Sequence, residues 1–228
     1  MYHSCDTLVL IGYCLQEADR LWTPSKALLE GSRQSANPVA VPSAYSEFDL
    51  VMDGIGGSGD GDGLLGGLIR TLEQLSRVLD QEPGLDIETA LASLNLTVEE
   101  TARISRWLTA IGASTVPRHS TGAFVREKLY EFEMGYIRAR HDVRRLCPLI
   151  KPTDDAEVER VFGLLTEKWA GGASWYWDRK IISETHGLAA SGTTYLVTED
   201  RKHIGKRKKE LLSITEIEDI LDLTLRPM

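Results

Sequence analysis

An α/β fold with a mostly parallel sheet is predicted by three features of the 228-residue sequence. Short apolar runs recur along the chain, separated by segments with the three-and-four spacing of amphipathic helices. The first run, Leu8–Ile11, has no polar break, the mark of a strand buried on both faces or of the start of a buried helix. Thr194–Thr198 is rich in β-branched residues and ends at the acidic pair Glu199–Asp200. Alternating strand and helix signals favour strands joined by helical crossovers.

Each element has its own local reason. The first strand is expected from about Thr7, with Asp6 at its start, leading to a helix near Gln16–Trp22 or after Pro24. Gly31–Asn37 is rich in turn formers. Pro38–Pro42 reads as a short second strand bounded by proline. Ser43 is placed to cap a helix over about Ala44–Met52 that carries Glu47 and Asp49 in its first turns.

From Asp53 to Gly67 the chain is too glycine-rich for regular structure. Asp60 and Asp62 alternate with glycine there, but a calcium loop needs a longer ligand set and a closing Glu, so a flexible loop is expected. Leu65, Leu68, Ile69, Leu72, Leu75 and Leu79 then share one face of a helix over Leu64–Leu79. A short helix follows at Asp86–Leu94. Thr97 and Glu100 form a capping box for a helix to Ile111, whose apolar face includes Val98, Ala102, Ile104, Trp107 and Leu108. Gly112 stops it, and a long helix runs from about Gly122 to Leu146.

Strands return at Leu146–Ile150. A helix capped around Thr153–Glu157 runs to about Trp169 with Val158, Val161, Phe162 and Leu165 inward. Gly171–Ser174 is a loop, and Trp175–Ala190 a helix with Asp178 near its start. After the Thr194–Thr198 strand, Leu211–Ile214 is expected as a last strand and Thr215–Leu221 as a last helix. The whole is expected as a single domain, 1–228, with 54–140 as a glycine-rich loop and helical insertion.

Composition narrows the function classes. A net charge of −8 argues against a protein that coats nucleic acid non-specifically. Basic residues nevertheless concentrate at Arg138–Arg145 and Arg201–Lys209. No apolar run approaches the roughly 18 residues of a membrane span, and the first twenty residues carry Asp6, Glu17 and Asp19 instead of a basic leader. The three cysteines, Cys5, Cys14 and Cys147, are widely spaced, which suggests reduced thiols in a cytoplasmic protein and no structural zinc site.

Asp6, Glu47, Asp178 and Asp200 belong to separate elements that can converge at one edge of a parallel sheet, where ligands gather beyond the strand ends. These residues carry a family resemblance. The chain resembles the PIN-domain nucleases through four motifs taken in order. Asp6-Thr7-Leu8-Val9-Leu10-Ile11 matches their first. Val41-Pro42-Ser43-Ala44-Tyr45-Ser46-Glu47-Phe48 matches their proline turn into a helix. Asp178-Arg179-Lys180-Ile181-Ile182 matches their Asp opening an apolar helix, and Tyr195-Leu196-Val197-Thr198-Glu199-Asp200 their last strand. The resemblance covers about 1–53 and 141–228. It implies a PIN-like three-layer sandwich with an enlarged helical region in the middle.

It also implies a metal-dependent endoribonuclease, toxin-like or RNA-processing. Carboxylates gathered in one pocket must take up protons or bind cations, and all-oxygen ligands suit Mg²⁺ or Mn²⁺. Asp6, Asp178 and Asp200 are the expected ligands, with Glu47 as ligand or orienter of the attacking water. Thr198 is expected to fix the Asp200 loop, and Thr7 the first strand. Lys202, Lys206 and Arg207, with Lys208 and Lys209, are candidates for RNA phosphate contacts. Arg138, Arg140, Arg144 and Arg145 are weaker candidates.

Trp175 and Trp177 offer base stacking or, more simply, packing. His186 and His203 are given no role. A cognate inhibitor protein and a second copy of the chain are the protein partners to be considered, the helical block offering apolar faces for either. The competing readings are an inactive PIN-like module that binds RNA or protein, and a receiver-type phosphoryl-transfer fold.

Overall fold

A computed structural model describes residues 1–31, 37–54, 63–169 and 175–224. The glycine-rich stretch bearing Asp60 and Asp62, most of the loop before Asn37 and the Gly171–Ser174 loop lie outside the described residues.

Among the described residues, four parallel strands form one sheet in the order β2-β1-β3-β4. They are β1 (Tyr2–Cys5), β2 (Pro38–Val39), β3 (Thr194–Thr198) and β4 (Asp219–Asp222). The α-helices of the described residues are α1 (Thr7–Cys14), α2 (Trp22–Gly31), α3 (Pro42–Asp53), α4 (Leu64–Gln81), α5 (Ile87–Ala92), α6 (Val98–Ala110), α7 (Thr121–Leu146), α8 (Asp155–Lys168), α9 (Tyr176–Ala189) and α10 (Lys208–Ile214). The sheet starts in its middle. β1 pairs with β2 on one side and β3 on the other, with Ser4 opposite Leu196 and Cys5 opposite Val197. The crevice beyond the carboxyl ends of β1 and β3 is therefore the point where strand order reverses, the usual place for a ligand in such sheets.

The amino end departs from expectation. The strand precedes Asp6, and the run from Thr7 is helix α1. An apolar run lacks periodicity because α1 is buried nearly all round, from Thr7 to Cys14 with only Leu8 less covered. Asp6 therefore ends a strand and caps a helix. Its carboxylate accepts the Thr7 N–H at 2.7 Å, and its own N–H continues the ladder to the Val197 carbonyl.

The carboxyl end departs more. Leu211–Ile214 belongs to helix α10, and the expected last helix, Thr215–Leu221, instead leads into strand β4. A four-residue run with three apolar side chains does not distinguish helix from strand. What decides is the register against β3, with Tyr195 opposite Asp219 and Thr198 opposite Asp222. Leu146 remains helical, and the expected strand over Leu146–Ile150 shrinks to a single bridge between Leu149 and Ala40.

The helical stretch keeps its predicted layout. α4 buries Leu68, Leu72, Leu75 and Leu79 and packs along α7. The Thr97–Glu100 capping box is present, and Gly112 takes φ +71°, which favours glycine. Val98 is 89% exposed, so the α6 core face begins at Ile104 and not at Val98. α7 packs in turn on α1, α3 joins α1 to α9, and α8 covers α9. Among the described residues no helix is long and apolar enough to cross a membrane. All three cysteines are buried free thiols.

A buried tether holds the start of α3. The helix starts at Pro42, a position that suits proline because its missing N–H has no helical partner. Val41, not Ser43, is the N-cap. Ser43 gives both its N–H and its hydroxyl to the buried Glu184 carboxylate of α9, each at 2.8 Å. With the helix starting there, Glu47 falls in its second turn, within the first turns expected for it.

Candidate metal centre

Each predicted carboxylate arrives from a different element, at the crevice between β1 and β3. Asp6 follows β1, and Asp200 follows β3 by two residues. Asp178 stands in the first turn of α9. Glu47 projects from α3.

Two threonines join these groups. Thr198, the last residue of β3, donates its hydroxyl to Asp6 Oδ2 at 2.6 Å and accepts the Asp200 N–H at 3.0 Å. It thus ties the ends of two strands, as expected for the Asp200 loop. Thr7 donates its hydroxyl to Glu47 Oε2 at 2.5 Å, linking α1 to α3. Both oxygens of Asp6 are engaged by the chain's own donors, Thr7 N–H and the Thr198 hydroxyl.

Electrostatics makes one unit of the set. Burial, then the charges of Asp6, Asp200 and Glu47, raise the Asp178 pKa to about 8 against the relief of Arg179. Burial raises Glu47 to about 7, with Asp6 adding to the shift and the Thr7 bond opposing it. Burial raises Asp6 to about 6 against the bonds from Thr198 and Thr7, and Asp200 and Glu199 add to the rise. Glu199 itself is paired with Arg20 at 2.7 Å. Burial and like charge both favour the neutral acid, and a cation in their midst removes the second penalty.

The tightest group brings in a residue without an assigned role. One ligand atom each from Asp178, Asp200 and His203 lies within 4.8 Å of the others. His203 Nδ1 stands 3.0 Å from Asp200 Oδ2 and 3.8 Å from Asp178 Oδ2, and its backbone N–H caps Asp200 Oδ1 at 2.8 Å. The imidazole lies 4.5 Å from the Trp175 ring. The Arg207 guanidinium lies 4.5 Å from Trp175 and 5.2 Å from Trp169. Trp175 thus packs against the site. The sequence signal for His203 is its position three residues after Asp200, which a tight turn returns to the carboxylate.

The remaining candidates divide by their contacts. Arg207 is committed to the two tryptophans, and Lys208 reaches Asp219 at 2.6 Å. Lys202, Lys206 and Lys209 are exposed and make no ion pair among the described residues. Trp177 packs edge-on to Tyr176. On α7, Arg140 binds Asp49 and Asp53 at 2.7 Å each, and Arg144 binds Asp49 at 3.1 Å, so both serve to hold α3. Arg145 pairs with Asp142, and Arg138 is exposed. His186 is buried in an internal network, with Nδ1 accepting the Glu216 N–H and Nε2 at 3.0 Å from Glu157.

The donor set fits a hard or borderline divalent cation. It offers carboxylate oxygens, which suit Mg²⁺ and Mn²⁺, and one imidazole nitrogen, which Mn²⁺ tolerates better than Mg²⁺. No family model, curated protein or solved structure matches the chain.

Proposed function

We propose that the chain is a metal-dependent endoribonuclease, hydrolysing RNA phosphodiester bonds from a PIN-like three-layer fold in the cytoplasm, with 54–140 as an insertion in that single domain. The observation that supports this most is the meeting of Asp178, Asp200 and His203, under the charge of Asp6 and Glu47, at the strand-order reversal. Asp178 and Asp200, with His203, would hold Mn²⁺ or Mg²⁺. Asp6, tied by Thr198, holds the β1 and β3 ends in register behind them. A bound divalent cation supplies charge neutralisation on the substrate phosphate and acidifies a water.

Glu47 has the proton-accepting role. Its pKa of about 7 suits a general base near neutrality, and Thr7 fixes one of its oxygens while leaving the other for the attacking water. The water oxygen bonds to phosphorus, its proton passes to Glu47, and the P–O bond to the leaving ribose oxygen breaks. Solvent protonates that oxygen. Lys202, Lys206 and Lys209 draw the polyanion past the acidic pocket without reading its sequence.

The test is cleavage of a single-stranded RNA with Mn²⁺, compared with Asp178→Asn and Asp200→Asn. Both variants are expected to lose activity by at least a hundredfold, on the order of the loss seen when a charge-stabilising group is removed. Undiminished cleavage by either refutes the assignment.

A second reading has one observation in its favour. Because both Asp6 oxygens are occupied by internal hydrogen bonds, Asp6 serves as a strut, as it would in a binding module without activity. Calorimetry with Mn²⁺ separates the two: no heat of binding sensitive to Asp178→Asn supports the module.

A further inference from the structure

We infer that Trp175 is a positioning residue that holds the His203 imidazole against Asp178 and Asp200, and that this hold gives the site a preference for Mn²⁺ over Mg²⁺. The inference rests on the reading of this site as a metal centre. His203 stands on the turn that follows β3, and its side chain is 42% exposed. Its backbone N–H bonds Asp200 Oδ1, which fixes the main chain but not the ring. The outer torsion of a histidine side chain is soft, so the plane of the ring is set by what lies against it. An imidazole that swings away from the two carboxylates is no longer a ligand.

Trp175 lies against it. The two ring centres are 4.5 Å apart and the planes are 37° from parallel. Trp175 is itself partly buried and packed on the core. The Arg207 guanidinium sits 4.5 Å from its ring centre and 5.2 Å from that of Trp169, and Trp169 meets Trp175 edge-on at 5.8 Å. A guanidinium suits that place because it is planar and stacks on aromatic faces. Trp169 is a core residue, and its carbonyl accepts the buried Arg179 guanidinium at 2.8 Å. A chain of contacts between rigid, flat groups therefore runs from the core to the His203 ring.

The same residue bears on both sides of the site. Trp175 is the N-cap of α9 and Asp178 follows three residues later, a spacing that puts both on one side of the helix start. Asp200 and His203 come from the turn after β3. With the ring held, Nδ1 stays 3.0 Å from Asp200 Oδ2 and 3.8 Å from Asp178 Oδ2. Carboxylates by themselves serve Mg²⁺ and Mn²⁺ alike, whereas an imidazole nitrogen adds affinity for Mn²⁺ and little for Mg²⁺. Groups that orient a metal-binding histidine are worth about tenfold to a hundredfold in metal affinity.

Calorimetry of the full chain, freed of metal by chelator, tests it with Mn²⁺ directly and with Mg²⁺ in competition. Trp175→Ala is expected to weaken Mn²⁺ binding about tenfold, the lower end of that range. Mg²⁺ binding is expected to stay within about twofold, because it draws little on the imidazole. Trp175→Phe keeps a flat ring against His203 and is expected to bind Mn²⁺ within about threefold of the wild type. In a His203→Ala background, Trp175→Ala is expected to change Mn²⁺ binding no further, since a residue that acts through another adds nothing once that residue is gone. General loosening of the fold would weaken both cations alike and add to the effect of His203→Ala. That outcome overturns the inference, as does Mn²⁺ binding untouched by Trp175→Ala. A wild-type chain that binds no Mn²⁺, or binds it independently of Asp178, refutes the metal centre itself and this inference with it.

Discussion

Removing the Asp178 carboxylate should stabilise the metal-free protein, and do so only above acidic pH. Folded Asp178 keeps its proton up to a pH of about 8, whereas the unfolded chain releases it near 3.8. Between those values the folded state binds more protons, so stability falls as pH rises through the window and is level outside it. A shift of about four units corresponds to about 6 kcal/mol at full ionisation. That figure is an upper limit, because the repulsion among Asp6, Glu47, Asp178 and Asp200 is shared. Several kcal/mol is the working expectation.

Asp178→Asn keeps the shape and removes the charge. Denaturant unfolding of both proteins with chelator present, from pH 4 to 9, should show similar stability at the acid end and a growing advantage for the variant toward pH 8. Glu47 and Asp6, with pKa values of about 7 and 6, leave the variant a shallower slope of the same sign. Mn²⁺ at a hundred times its dissociation constant should then stabilise the wild type by about 2.7 kcal/mol and the variant by less. Parallel profiles for the two proteins, with no divergence above pH 6, would refute the claim that these carboxylates oppose one another in one pocket.

Glu184→Ala leaves the Ser43 N–H and hydroxyl unpaired at the start of α3, which should cost about 1–3 kcal/mol in denaturant titration. Because α3 carries Glu47, calorimetry should also show weaker Mn²⁺ binding. Gly12→Ala places a methyl 2.7 Å from Leu21 Cβ and 2.8 Å from Ser25 Oγ, where α1 and α2 meet. The overpacking cost of about 1–3 kcal/mol should exceed the ~1 kcal/mol that alanine gains in a helix, seen as a lower melting temperature. The buried thiols, with Cys14 pushed by burial up to about 12 and Cys147 well above its ordinary value, should resist a disulfide reagent until the protein unfolds. Labelling of the native protein within minutes would show a more open core.

Several parts of this architecture are legible residue by residue. The α4 leucines, the Thr97–Glu100 box and the Asp154 cap of α8 are local, so spacing and side-chain chemistry suffice to find them. Thr194–Thr198 was legible because β-branched residues and the following acids mark a buried strand end. The two ends were not. Thr7–Cys14 is apolar on all sides, and a run without period carries no signal of helix against strand. Asp219–Asp222 is a strand because β3 offers it an edge, a fact not present in those four residues.

By itself the sequence determined that strands and helices alternate, that a helical stretch separates the second strand from the later ones, that Asp6, Asp178 and Asp200 stand near element ends, and that Glu47 lies on the helix after the second strand. These follow from period and composition, which act over a few residues. Only the tertiary structure decided that Asp6 ends β1 and caps α1, that the sheet reverses order between β1 and β3, and that His203 stands against Asp178 and Asp200 with Trp175 behind it. The physical reason is range. Local propensity fixes which way a side chain leaves its own element, whereas the meeting of carboxylates more than 150 residues apart depends on strand register and helix packing.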